Sequence, residues 1–315
     1  MTDTRIAVLR QKIHGMPAAD YADALRARLP DCTVTLAQTP HEERERLQTA
    51  HIGTGHDLPE STLETAENLE LFACVYAGTG HLDLDTFENH GVAVTNASGV
   101  HANNIAEYVV GSMVALARQF PRAWEQKQTR EWRSYRTREL HGSTATVVGL
   151  GAIGRAVVDR LQAFGMETIG VRYSPEKGGP TDEVYGFEGI HEAVTDAEYV
   201  VLACPLTEAT EELFDANVFK TMRSDAFLVN IARGRVVDTD ALLSALRWNS
   251  IAGAALDVTD PEPLPEDHPL WGMENVLITP HNAGHTPAYY ERCADILAEN
   301  VERLRGDGDL LNRVV

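Results

Sequence analysis

The chain has 315 residues, 43% of them hydrophobic, enough for one large or two ordinary domains and too apolar for a disordered segment. Its formal net charge is −20, from 47 acidic against 27 basic residues, the reverse of the bias a nucleic-acid binder carries. No apolar run approaches the roughly 20 residues a membrane span needs, and the opening MTDTRIAVLR lacks the pattern of a secretory signal.

The acids are spread along the chain, and lysine occurs only at Lys12, Lys127, Lys177 and Lys220. Arginine supplies the remaining basic charge. This pattern reads as adaptation to high salt, where counterions screen the self-repulsion of an acidic surface; an ordinary acidic protein is the alternative. The cysteines, Cys32, Cys74, Cys204 and Cys293, are widely spaced with no C-x-x-C pair. Free thiols in a reducing cytoplasm are expected, and no zinc or other metal site.

In chain order, IAVLR (6–10) predicts a strand and ADYADALRARL (19–29) a helix. CTVTLA (32–37), LFACVY (71–76) and VAVTNA (92–97) predict further strands. Residues 103–120, NNIAEYVVGSMVALARQF, predict one long apolar helix with Asn near its N-cap. A polar, Arg-rich stretch containing tryptophan follows over 122–139. Strands are then expected at STATVV, 167–171, 197–204, 225–232, 251–258 and 275–280, with an amphipathic helix over 287–306. Alternating strands and helices imply an α/β fold with parallel sheets.

VVGLGAIG carries Gly149-x-Gly151-x-x-Gly154 between a β-branched strand and a helix, the context that makes this motif a dinucleotide site. Gly149 allows the tight turn, Gly151 the approach of a pyrophosphate, and Gly154 the packing of helix on strand. A dinucleotide that carries only ribose hydroxyls calls for an acid about 20 residues on. The strand over 167–171 ends instead on Arg172, followed by Tyr173 and Ser174, with no acid before Glu176. A guanidinium there fits the 2′-phosphate of NADP(H), so NADP(H) is expected in preference to NAD(H); a solvated strand tip is the alternative. Further on, Arg233, Asp257 and His281 each stand at or just beyond the end of an expected strand, and Glu262 lies between prolines. Strand ends of a parallel sheet face the cofactor crevice. Taken singly, each has a bland reading as a helix-entry charge, a loop acid or a satisfied histidine.

With YAGTGHLDLD, TNASGVHANNIAEYVVGSMVALAR, ACPLTEATEELF, NIARGRVVDTDAL, LDVTDPEPLP and LITPHNAGHT in this order, nearly the whole chain resembles the D-isomer-specific 2-hydroxyacid dehydrogenase family. The resemblance implies two domains with parallel sheets, a Rossmann cofactor domain (98–284) inserted in a split flavodoxin-like substrate domain (1–97 and 285–315). It also implies a homodimer formed through the helix near 103–120 and the segment after it.

The implied reaction is reversible reduction of a 2-keto acid to a D-2-hydroxy acid. Arg233 would bind the substrate carboxylate, His281 would be the acid/base, and Glu262 would hold its imidazole. Ala77, Gly78, Thr79 and Gly80 would offer backbone N–H groups to the substrate. Asp257 would fix the nicotinamide carboxamide. Ala152, Ile153, Cys204, Pro205, Thr210, Ile231 and Ala232 would line the cofactor. Glyoxylate or hydroxypyruvate reductases and phosphoglycerate dehydrogenases share this triad, and a corepressor-like binding module shares the fold. Leu82 and Asp83 depart from the G-x-D-N-x-D that many relatives carry, and Arg172 replaces the usual acid.

Overall fold

The computed structural model describes residues 4–306 and 308–315. The chain forms two compact units, residues 1–100 with 285–315, and residues 101–284.

In the first unit, strands β1 (Thr4–Val8), β2 (Cys32–Leu36), β3 (Ile52–Gly55), β4 (Leu71–Cys74) and β5 (Ala93–Thr95) alternate with helices α1 (Ala18–Arg28), α2 (Pro40–Leu47), α3 (Glu60–Leu63) and α4 (Leu84–Asn89). The strands form one parallel sheet in the order β2-β1-β3-β4-β5, so strand order reverses between β1 and β3. This is the flavodoxin-like order. Ala97 and Val100 are buried in this unit's core.

The second unit opens with α5 (Ala102–Ala117) and α6 (Phe120–Thr129). Its sheet is built from β6 (Thr144–Val148), β7 (Glu167–Val171), β8 (Glu183–Tyr185), β9 (Tyr199–Leu202), β10 (Phe227–Asn230), β11 (Gly253–Leu256) and β12 (Val276–Ile278). Helices α7 (Ala152–Ala163), α8 (Ile190–Thr195), α9 (Ala216–Thr221) and α10 (Thr239–Arg247) connect them. The seven strands are parallel in the order β12-β11-β10-β9-β6-β7-β8. Order reverses between β6 and β9, and ligands bind outside the carboxyl ends of strands at such a point. The sheet is covered on both faces, which accounts for its nearly continuous apolar strands. Val109 and Met113 of α5 are fully buried in one cluster with Val157, Val158 and Leu161 of α7. Truncating Met113 to alanine would cost roughly 2–5 kcal/mol.

The chain then returns to the first unit as α11 (Tyr289–Arg305). Arg28 of α1 reaches Glu291 and Asp295 of α11 at 2.7 and 2.5 Å. The Tyr290 hydroxyl accepts from the Ile13 amide at 3.1 Å. The last residues pair with β5: the Val314 amide donates to Val94 at 2.7 Å, and that of Val94 to Val315 at 3.2 Å.

The helix expected over 103–120 is α5, which ends three residues early at Ala117; Gln119 turns left-handed at φ 53°, and a second helix, α6, opens the polar stretch with Pro121 in its first turn, where a missing N–H costs nothing. β3 and β8 were not anticipated. β3, IGTG, is half glycine, and β8 is three residues long. Acids absorbed into helix caps include Asp83, Asp215 and Asp238. The Val218 amide above all holds the Asp215 carboxyl below the usual carboxylate range.

Candidate active site

The glycine turn lies where the strand order reverses. Gly149 follows β6 at φ 102°, and a Cβ there would stand 2.6 Å from the amide nitrogen of Cys204, which follows β9. A Cβ on Gly154 would be 1.8 Å from the Gly149 carbonyl oxygen, so only glycine lets α7 pack this closely. Gly151 differs, because a Cβ there would meet nothing within 4 Å. Gly151 is also the N-cap of α7 and offers no capping side chain, so the amides of the first turn, at Ala152 and Ile153, open onto that space. Open room above glycine at a helix N-terminus fits a pyrophosphate.

Around this turn, Cys204 is buried, and burial pushes its thiol up to about 11. The thiol therefore serves as a small apolar wall. Ile231 and Ala232 are also buried. The Thr210 hydroxyl donates to the Pro205 carbonyl at 2.6 Å and accepts from the Thr207 amide at 2.8 Å. Thr210 therefore folds its own loop, and its proton is spent there.

Arg172 stands just past β7, with its amide bonded to Tyr185 at 3.0 Å. Its Nη1 donates to the Gly178 carbonyl at 2.7 Å. That contact folds the side chain over the short 3-10 turn Pro175–Lys177. Tyr173 is 80% exposed, with its ring 6.4 Å from that of Phe187.

The ends of β10, β11 and β12 lie in register, Asn230 beside Leu256 and Leu256 beside Ile278. Past β10, buried Asn230 folds the turn that carries Arg233: its Oδ1 accepts from the Ala232 amide at 3.0 Å, and its Nδ2 donates to the Arg233 carbonyl at 3.2 Å. The Arg233 side chain is exposed, with Nη1 2.7 Å from the Ala232 carbonyl. A Cβ on Gly234 would be 2.0 Å from the Thr259 carbonyl oxygen. The Arg233 turn is thereby pressed against the loop that leads to Glu262. In that loop the peptide bonds before Pro261 and Pro263 are cis.

Past β12, His281 adopts φ 54°. Its Nδ1 lies 2.6 Å from Glu262 Oε1. With Nδ1–H donating to the carboxylate, Nε2 is the nitrogen left to exchange a proton. Asp257, 3% exposed, faces the same turn. Its Oδ1 accepts from Thr279 Oγ1 at 2.6 Å and from the Asn282 amide at 2.8 Å, and its Oδ2 accepts from the Ala283 amide at 3.0 Å. Asp257, expected as a cofactor ligand, thus also binds the backbone that presents His281, and Oδ2 with its single bond keeps acceptor capacity.

In the first unit, residues 77–80 follow β4. The Ala77 carbonyl accepts from Asn96 at 2.8 Å and that of Thr79 from the Leu82 amide at 2.9 Å, while the amides of Gly78, Thr79 and Gly80 find no acceptor among the described residues. Leu82 is buried, and Asp83 caps α4 by accepting from Thr86. His81 stacks on His56 at 4.2 Å, and a ring nitrogen lies 2.7 Å from the His56 carbonyl. The sequence reading passed over both histidines, although GTGH recurs at 53–56, closing β3, and at 78–81, in the loop after β4. It also passed over Tyr108, whose hydroxyl lies 2.7 Å from Thr279 Oγ1.

Residues 110–283 match the family model described as D-isomer specific 2-hydroxyacid dehydrogenase, NAD binding domain. The chain belongs to this family. The D-3-phosphoglycerate dehydrogenase of Methanocaldococcus jannaschii is 32% identical over 298 residues, 92% of this dehydrogenase-family chain and 57% of that protein. The chain thus spans little more than half the length of that relative. The human glyoxylate reductase/hydroxypyruvate reductase is 34% identical over 249 residues, 76% of this chain and 75% of the relative. A D-isomer specific 2-hydroxyacid dehydrogenase from Xanthobacter autotrophicus Py2, solved in complex with NADPH and MES, superposes with a TM-score of 0.78 at 27% identity, covering 98% of each chain. Among the described residues no helix is long and apolar enough to cross a membrane, and no cluster of histidine, cysteine and acidic side chains has the makings of a metal site.

Proposed function

We propose that this chain catalyses reversible, NADPH-dependent reduction of 2-keto acids to D-2-hydroxy acids. The observation that carries the reading is the His281–Glu262 contact at 2.6 Å, placed beyond the strand ends of a sheet that holds a dinucleotide turn. Nε2 of His281 gives a proton to the substrate oxygen in reduction and takes it back in oxidation. Glu262 orients the ring and faces the positive charge it carries as the acid. Arg233, exposed on its tight turn, grips the substrate carboxylate and polarises the keto group. The nicotinamide cofactor, when bound, supplies the hydride for C2. Ala152 and Ile153 hold its pyrophosphate above Gly151, while Cys204, Pro205, Ile231 and Ala232 wall its site. Thr210 lines the cofactor from the loop it folds, and Asp257 fixes the nicotinamide carboxamide.

Residues 1–97 with 285–315 serve as the substrate domain, and its loop of Ala77, Gly78, Thr79 and Gly80, three of whose amides are free, is its substrate-binding element. Residues 98–284 serve as the cofactor domain. NADP(H) is favoured over NAD(H) because Arg172 stands where a ribose-binding acid would stand, with Tyr173 and Ser174 beside it. The homodimer forms through the helix near 103–120 and the segment after it, which includes α6. No residue of α6 is buried, Trp124 is 64% exposed, and Trp132 is fully exposed. Such apolar exposure marks an interaction surface. The four free thiols and the acidic surface fit a salt-rich cytoplasm.

Phosphoglycerate oxidation and glyoxylate or hydroxypyruvate reduction form the second reading, favoured by the names of the two curated relatives. The deciding experiment follows NADPH and NADH oxidation in molar KCl with straight and branched 2-keto acids, glyoxylate, hydroxypyruvate and 3-phosphohydroxypyruvate. Oxidation with none of them would overturn the proposal.

A further inference from the structure

We infer that Tyr108 and Thr279 are positioning residues for His281, their hydroxyls forming a one-way hydrogen-bond relay that locks the carboxylate on which the His281 turn hangs. The inference rests on the reading of His281 as the acid/base group.

The turn needs holding. His281 sits at φ 54°, a left-handed conformation that an L side chain keeps only when its surroundings impose it. Its own amide is tied back to the carbonyls of Asp257 at 2.9 Å and Thr279 at 3.0 Å. The next two amides, of Asn282 and Ala283, are tied to the Asp257 carboxylate at 2.8 and 3.0 Å. The backbone that carries the imidazole is therefore held by the Asp257 carboxylate, while Glu262 meets the ring itself.

That carboxylate is set in turn by two hydroxyls. A carboxylate only accepts, and a threonine hydroxyl has one proton. At 2.6 Å from Asp257 Oδ1, Thr279 must donate, so it can only accept from Tyr108 at 2.7 Å. The relay runs Tyr108 to Thr279 to Asp257 and admits no reversal. Burial pushes the Tyr108 phenol up, which keeps its proton in place, and Ser112, one helical turn further along α5, also bonds to it. A second tie runs from the same face of α5, four residues back: Asn104 Nδ2 donates to the Ala283 carbonyl at 2.7 Å. Helix α5 is thus a splint along the His281 turn, joined to it at two rungs.

The test uses the full chain. Thr279→Val removes the relay hydroxyl and keeps the branched shape; Thr279→Ser restores the hydroxyl; Tyr108→Phe removes only the first donor. With Thr279→Val, amide exchange at Asn282 and Ala283 should speed up about tenfold, and kcat for keto-acid reduction should fall about tenfold, with keto-acid KM and NADPH Kd held within about twofold. Tyr108→Phe should move both readouts the same way by about threefold, and Thr279→Ser should bring both back toward the parent. Parental kcat in Thr279→Val, with or without faster exchange or a lower Tm, would overturn the positioning role. If Thr279→Val does not fold, Tyr108→Phe decides by the same two readouts, and parental values there overturn the inference. A parent that reduces no 2-keto acid would sink the reading of the reaction, while the exchange rates would still report whether the relay holds the turn.

Discussion

Glu262 Oε1 lies 2.6 Å from Nδ1 of His281, although the two residues arrive from loops after different strands. The Glu262 loop is braced against the turn of Arg233 through Gly234, so the proposed proton-transfer pair and the proposed carboxylate grip share one scaffold. His281→Ala should lower kcat in both directions by about 10²–10⁴-fold while leaving NADPH affinity near the parental value. Glu262→Gln, which keeps a hydrogen bond but loses the charge, should fall between the two. Because reduction takes up a proton and oxidation releases one, the reductive rate should decline and the oxidative rate climb as pH rises. Steady-state kinetics in both directions check this, and near-parental turnover in His281→Ala would remove the histidine from the chemistry.

Arg172 governs the second prediction. A charge-assisted hydrogen bond is worth roughly 1.5–3 kcal/mol, or about one to two decades of affinity. Arg172→Ala should weaken NADPH by that factor and leave NADH nearly untouched. Arg172→Asp should go further, since it repels the phosphate and supplies an acceptor for ribose hydroxyls. The ratio of kcat/KM for the two cofactors, measured at one fixed salt concentration, is the readout. Equal losses for both cofactors would return Arg172 to a solvated strand tip.

A net charge of −20 predicts a steep response to salt. At 1 M ionic strength the screening length falls to about 3 Å, and the self-repulsion of the acidic surface falls with it. Tm should climb from dilute buffer to molar KCl, and activity should follow. A flat or falling Tm across that range would refute the salt adaptation.

High pH should unfold the chain. Burial pushes the Cys204 thiol up to about 11, and the Cys293 thiol and Tyr199 phenol up to about 12. When unfolded, these groups ionise near 9 and 10. The folded chain therefore keeps protons that the unfolded chain gives up. This contribution is whole below pH 9 and is lost as pH rises toward 12. Urea midpoints measured from pH 7 to 11 should hold level and then drop; constancy to pH 11 would contradict it.

Trp124 and Trp132 should matter to assembly and not to folding. Replacing each by glutamate adds charge to a surface where α6 buries nothing. Sedimentation in molar KCl should show the parent as a dimer and the double variant as a monomer with an unchanged Tm. A monomeric parent would take the interface off this surface.

Much of this fold was legible because buried parallel strands are written as short, nearly continuous apolar runs. β7 falls on the expected Glu167–Val171, and β9 to β12 lie inside their expected segments. The break at Gln119 was hidden because both helices around it favour helical residues, and only its left-handed backbone separates them. The Gly149 turn was legible as glycines between a strand and a helix, and Arg233 and His281 as residues just past strand ends; the roles proposed for them and for Glu262 rest on the family resemblance. Tyr108 and Asn104 were not. They act through a turn more than 170 residues away in the chain, and a helical residue's partner across a sheet leaves no local pattern.

The left-handed backbone at His281 sets two kinds of selection against each other. Glycine takes that conformation without the roughly 1–2 kcal/mol that a side chain costs there. A library passed through heat alone should therefore drift to glycine at 281, and one passed through turnover should hold histidine. The divergence of the two populations at one codon would record which force shaped the natural sequence.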